Sequence, residues 1–143
     1  MRVAVVRFPG SLDDDDAILA VSGCGGEAVS VWHADSDLPA VDAVILPGGF
    51  SYGDYLRSGA IASRAAIMPA ISTFAAEGGP VLGICNGFQV LCEAGLLPGA
   101  LLPNIGLRFV CRDVLVTIEQ TDTPWTRSFA ADEQIVLPVK HGE

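Results

Sequence analysis

The chain has 143 residues, of which 50% are apolar and 17% charged, a balance that fills one core and excludes the disordered class. A net charge of −9, with eight Lys and Arg in total, argues against a nucleic-acid backbone or an anionic membrane as partner, since both are held by clustered cations. No apolar stretch approaches the roughly 20 residues of a membrane helix and no export signal opens the chain, so a cytoplasmic protein is expected.

In chain order, residues 2–7 are a valine-rich run, apolar from Val3 to Val6 between two arginines, which stops at Phe8-Pro9-Gly10 and predicts a buried strand and a turn. Ser11 stands three residues before Asp14 with a capping-box spacing, and the acidic run 13–16 lies where a helix dipole favours carboxylates. A first helix to about residue 23 follows, and it accounts for the carboxylates better than a metal site does. Strands are predicted over 27–32 and 42–46, a helix over 59–76, a strand over 80–84 and a helix over 86–94. Such alternation with short connections indicates right-handed βαβ units, hence an open α/β sheet, mostly parallel and flavodoxin-like, with helices on both faces. Residues 107–118 and 134–139 read as strands without an intervening long helix, an antiparallel edge or insertion. The whole, 1–143, is expected to be one domain, without repeats or linkers.

The cysteines are Cys24, Cys85, Cys92 and Cys111. Without an export signal a disulfide framework is not expected, and no pair has the spacing of a zinc site, so no metal is assigned. Most of these thiols are expected to be small buried hydrophobes. Cys85 differs, because it sits in Gly83-Ile84-Cys85-Asn86-Gly87 between a strand and a helix, the thiol version of a nucleophile elbow. The glycines leave room for a tight turn, and the helix start favours negative charge on sulfur. The Asn86 N–H is placed to meet an oxyanion formed when that sulfur attacks an amide carbonyl. Gly48 and Gly49 end the preceding strand, and in a doubly wound sheet their loop shares a crevice with the elbow. Their spacing fits neither the dinucleotide fingerprint nor the Walker loop.

The segment Gly83-Ile-Cys85-Asn-Gly87-Phe-Gln89 resembles the nucleophile motif of class I glutamine amidotransferases. Residues 47–59, Gly95-Leu-Leu-Pro98, Leu102-Pro-Asn104, Thr123-Pro-Trp125 and His141-Gly-Glu143 resemble the branch that feeds ammonia to amidine formation in purine synthesis. The resemblance spans the chain. It implies that Cys85 attacks the side-chain amide of glutamine, giving a glutamyl thioester and ammonia. It implies an oxyanion hole from the backbone N–H groups of Gly49 and Asn86, and a glutamine pocket lined by Gln89. It further implies a large synthetase subunit as partner, which uses ATP and Mg, with a small accessory subunit and no cofactor bound by this chain. The family's base and orienting acid are a His and a Glu two residues later, near the C-terminus. His141-Gly142-Glu143 matches an earlier His-Gly-Glu segment better, so the chain is expected to stop before the catalytic pair and to show little glutaminase activity alone. His33, the other histidine, is expected at the surface after a strand. Alternative readings are an inactive, partner-binding fragment, and a thiol hydrolase or stress protein of related fold. The latter carries an acidic residue near the end of the first strand, where this chain has Phe8-Pro9.

Overall fold

The computed structural model describes all 143 residues and divides into two compact units, Met1–Leu101 and Leu102–Glu143. In the first, four parallel strands lie in the order β2-β1-β3-β4, with β1 Arg2–Arg7, β2 Glu27–Trp32, β3 Ala43–Leu46 and β4 Val81–Gly83. This is the flavodoxin-like order. Because β1 is central, its residues Val3 to Val6 are buried on both faces and read as one apolar run. Val3 and Val5 pack with Ala43, Ile45 and the α1 (Asp14–Gly23) residues Ala17 and Val21. Ala4 and Val6 pack on the other side with Val44, Leu46, Ile71 of α2 (Met68–Ala76), and Val90 and Leu91 of α3 (Asn86–Glu93). Helices therefore cover both faces, as the alternation of elements predicted.

Two local expectations are corrected. Ser11 does not cap α1: its hydroxyl accepts the Phe8 N–H at 3.0 Å, and the N-cap position falls to Asp13, whose side chain makes no capping bond. The acidic first turn is nevertheless the helix start, with Asp14 and Asp15 paired to Arg7. The helix expected over 59–76 is broken into a 3₁₀ turn, Ala62–Arg64, and α2. Ala65 between them is extended, with ψ 153°, and Pro69 lies in the first turn of α2. Proline lacks an N–H and suits only that position, so the second helix starts afresh there.

The second unit is an antiparallel hairpin of β5 (Val110–Thr117) and β6 (Gln134–His141), running in register from Val110 opposite His141 to Thr117 opposite Gln134. The two pair only with each other, so they form a sheet of their own rather than an antiparallel edge on the parallel one. No helix is long and apolar enough to cross a membrane.

Candidate active site

The carboxyl ends of β1, β3 and β4 gather three loops. Leu12 and Asp13 donate backbone N–H to the Gly48 carbonyl (3.1 and 3.2 Å), Phe50 donates to Gly10 (2.9 Å), and Ile84 donates to Leu46 (3.0 Å). The elbow lies among them. Cys85 is the N-cap of α3 with φ 51° and ψ −110°, a strained positive-φ conformation unusual for a residue with a side chain, and it is exposed to solvent. Its strain is held by the flanking glycines. A Cβ on Gly87 would strike the Leu46 carbonyl oxygen, and one on Gly83 would lie 2.7 Å from the Gly87 backbone. Only bare backbone lets β3, β4 and α3 approach closely enough to force the turn.

The neighbouring loop comes near the thiol through Gly48, where a Cβ would sit 3.5 Å from that of Cys85. Gly49, at φ 143°, forms an antiparallel bridge with Ser11. The hydrogen bonds of that bridge run between the flanking residues, Phe50 to Gly10 and Leu12 to Gly48, so the Gly49 N–H itself stays out of the ladder. The Asn86 N–H, at the first position of α3, has no acceptor within the helix. Two backbone donors thus remain available beside an exposed, strained thiol. The Asp13 carboxylate occupies the space that a Cβ on Gly48 would fill, a negative charge that opposes a phosphate cradle at this loop.

The Asn86 side chain is buried and makes three hydrogen bonds. Its Oδ1 accepts the Ser51 N–H at 3.0 Å, and its Nδ2 donates to Asp54 Oδ1 at 3.1 Å and Gln89 Oε1 at 3.0 Å. Gln89 therefore adjoins the elbow, one helical turn beyond Cys85, whose carbonyl accepts its N–H at 3.2 Å. The far end of α3 grips the same loop through Arg57, which donates to both carboxylate oxygens of Glu93 at 2.7 and 2.6 Å. Those bonds hold the Glu93 carboxyl below its ordinary range, with the charges of Arg57 and Arg64 adding and burial opposing. Burial, with Glu93 adding, pushes the Cys92 thiol up, which suits a structural cysteine. Cys24 and Cys111 are exposed, so the expectation that most of the thiols are buried fails. Cys24 is turned outward at the C-cap of α1, and Cys111 lies in β5 of the thin hairpin.

His33 is half-buried rather than a surface residue. Its ring packs edge-on to Trp32 and Tyr52, and Nδ1 meets the Tyr52 hydroxyl at 2.6 Å. In the second unit, His141 Nδ1 bonds Asn104 Oδ1 at 3.1 Å, while Asn104 also donates to the His141 carbonyl at 3.1 Å and from its own N–H to Gly142 at 2.9 Å. The residue that orients His141 is thus Asn104, not Glu143. Sequence reasoning singled out Asn104 without giving it this task. It gave no role to Asp54, Arg57 or Glu93, because their partners lie more than thirty residues away and no spacing reports them.

An open parallel sheet with a thiol elbow at its carboxyl edge defines a class, and a family model agrees: that of the CobB/CobQ-like glutamine amidotransferase domain matches residues 1–143. The chain belongs to that family. Among its relatives is phosphoribosylformylglycinamidine synthase subunit PurQ of Rubrobacter xylanophilus, 66% identical over 143 residues, covering 100% of this chain and 65% of the relative. The subunit of the same name from Frankia casuarinae is 63% identical over 142 residues, covering 99% and 61%. Among solved structures, that of PurLQS from Thermotoga maritima superposes with a TM-score of 0.93 at 47% identity, covering 99% of this chain and 66% of the matched one. The chain spans 61–65% of the length of these two curated relatives.

Proposed function

We propose that Cys85 is the nucleophile of a glutamine amidotransferase, and that the protein serves as the glutaminase subunit of phosphoribosylformylglycinamidine synthase in purine biosynthesis. The thiolate attacks the side-chain carbonyl of glutamine, and the Gly49 and Asn86 N–H groups receive the negative charge that develops on oxygen. Collapse of the tetrahedral intermediate expels ammonia with a proton from a general acid and leaves a glutamyl thioester. Water, deprotonated by the same group, then releases glutamate. Gln89 lines the glutamine pocket. The ammonia passes to a large synthetase subunit, where ATP and Mg activate formylglycinamide ribonucleotide, with a small accessory subunit completing a cytoplasmic assembly.

The observation that carries this reading is the backbone of Cys85, held at φ 51° between β4 and α3 with backbone donors at hand. The relatives' names support the pathway, and the likeness to PurLQS of Thermotoga maritima supports an assembly. The test is a diazo-ketone analogue of glutamine applied to the full-length gene product, followed by peptide mass spectrometry. Cys85 should take the label. Preferential modification of the exposed Cys24 or Cys111 would sink the assignment, as would Cys85→Ala protein that still releases glutamate. Co-purification with an ATP-using synthetase in the presence of glutamine tests the partner, and a monomer under those conditions counts against it.

A further inference from the structure

We infer that the side chain of Asn86 is a positioning residue: it sets the loop 49–54 against the elbow and fixes which way the Gln89 amide faces. The catalytic half of this inference rests on the glutaminase reading above; the structural half does not.

Asn86 is 3% exposed, and the hydrogen bonds of its amide leave it one orientation. A backbone N–H can only donate, so the atom facing Ser51 at 3.0 Å is Oδ1. Nδ2 then faces Asp54 and Gln89. A donor at 3.0 Å requires an acceptor opposite, so Gln89 presents Oε1 to Asn86 and turns its own NH₂ away, as a donor for a bound carbonyl or carboxylate. The Ser51 N–H thus determines the face that Gln89 offers. The same amide is one anchor of a loop whose backbone is strained, since Tyr52, Asp54 and Leu56 have φ of 53°, 54° and 72°. Non-glycine residues hold such angles only where surroundings over-determine them. Ser51 is two residues from Gly49, so tethering its N–H limits how far the Gly49 donor can drift from Cys85. The residue that lends its backbone N–H to the oxyanion therefore also fixes, through its side chain, the loop that carries the second donor.

The test uses the full-length gene product. Asn86→Asp keeps the acceptor for Ser51, removes both donors, and puts a carboxylate against Asp54. Asn86→Asp/Asp54→Asn returns a donor–acceptor pair with the roles exchanged. Expected are faster hydrogen exchange at the Ser51 amide and a fall in kcat of at least about 10-fold in the single variant, short of the 10²–10³ for outright loss of an oxyanion donor. The fall in kcat should exceed any rise in KM for glutamine, and the double variant should recover part of it. Asp54→Ala, on the partly exposed side of the clamp, gives a smaller loss in the same direction and serves if Asn86→Asp does not fold. Unchanged kcat in both single variants, or recovery of the thermal midpoint without recovery of kcat in the double variant, overturns the positioning role. Unchanged Ser51 exchange in both overturns the clamp itself. Wild-type glutamate release that survives Cys85→Ala instead overturns the glutaminase reading, and the exchange result stands apart from it.

Discussion

Two turns border Cys85, and they hold unusual backbone by opposite means. The elbow, residues 83–87, puts one side-chain-bearing residue at positive φ and surrounds it with glycines whose missing Cβ atoms let three elements close on it. The loop after β3 has Gly49, Gly53 and Gly59 at positive φ but also Tyr52, Asp54 and Leu56. It is held by groups distant in sequence: Asn86 at one end of α3, Glu93 at the other, His33 on the Tyr52 hydroxyl, and the Pro9 carbonyl on the Tyr52 N–H. One turn is shaped by its own sequence, the other by its neighbours.

The largest expected effect lies in the elbow. On the glutaminase reading, Cys85→Ala in the full-length gene product should lower glutamate release by roughly 10⁴-fold or more, the scale on which removal of a covalent nucleophile acts, while changing the thermal midpoint little, since the side chain is exposed. Glutaminase assay and differential scanning calorimetry on the same preparation give both readings. A lowered midpoint would mean that the thiol is structural after all.

Next comes Gly87→Ala, one methyl group. Its Cβ would meet the Leu46 carbonyl oxygen, and β3 is buried along its whole length, so the added group cannot be relieved by moving a flexible side chain. A loss of about 1–3 kcal/mol by chemical denaturation is expected. A change under about 0.5 kcal/mol, the range of ordinary surface substitutions, would show that α3 can slide and that the elbow is less rigid than its contacts imply.

The contrast explains what was legible in advance. The strands of the parallel sheet, its covering by helices on both faces and the turn of Cys85 with its glycines follow from periodicities and spacings of a few residues, and each was read from sequence. The exposed cysteines, the half-buried His33 and the side-chain role of Asn86 depend on what lies opposite after folding. Ser51 and Asn86 are thirty-five residues apart, as their hydrogen bond records. A buried polar residue at a helix start gives no sign of which donor it will meet. His141 shows the same limit: nothing in its spacing to Glu143 announces that its ring meets Asn104, thirty-seven positions earlier.

Leu56 provides a test of strain in the second turn. It is 89% exposed at φ 72°, so Leu56→Gly removes no buried surface. The left-handed conformation costs a leucine roughly 1–2 kcal/mol, and the added freedom of glycine in the unfolded chain takes back about 0.4–1. Stability should be unchanged or rise by no more than about 1.6 kcal/mol in urea unfolding. A clear loss would mean that Leu56 makes contacts that outweigh its backbone strain.

The smallest effect is the pH response of the outer latch. Arg57 holds the Glu93 carboxyl below its ordinary range through two hydrogen bonds, so the folded protein binds a proton there less readily than the unfolded chain does. A group with a depressed folded pKa contributes its full stabilisation above the ordinary glutamate range and loses it as pH falls through the depressed value. The Arg57 side chain is 60% exposed, which limits the pair to the order of 0.2–1 kcal/mol. The stability difference between wild type and Arg57→Ala should therefore be constant from neutral pH down to the ordinary glutamate range. It should shrink below that range and vanish once Glu93 is protonated in the folded state. Hydrogen exchange at amides 57–60 should follow the same profile, because this latch closes the far end of the loop. A difference that persists in acid would show that Arg57 acts through its aliphatic stem and not its charge, whereas one that disappears already near neutrality would mean that the carboxyl is not depressed.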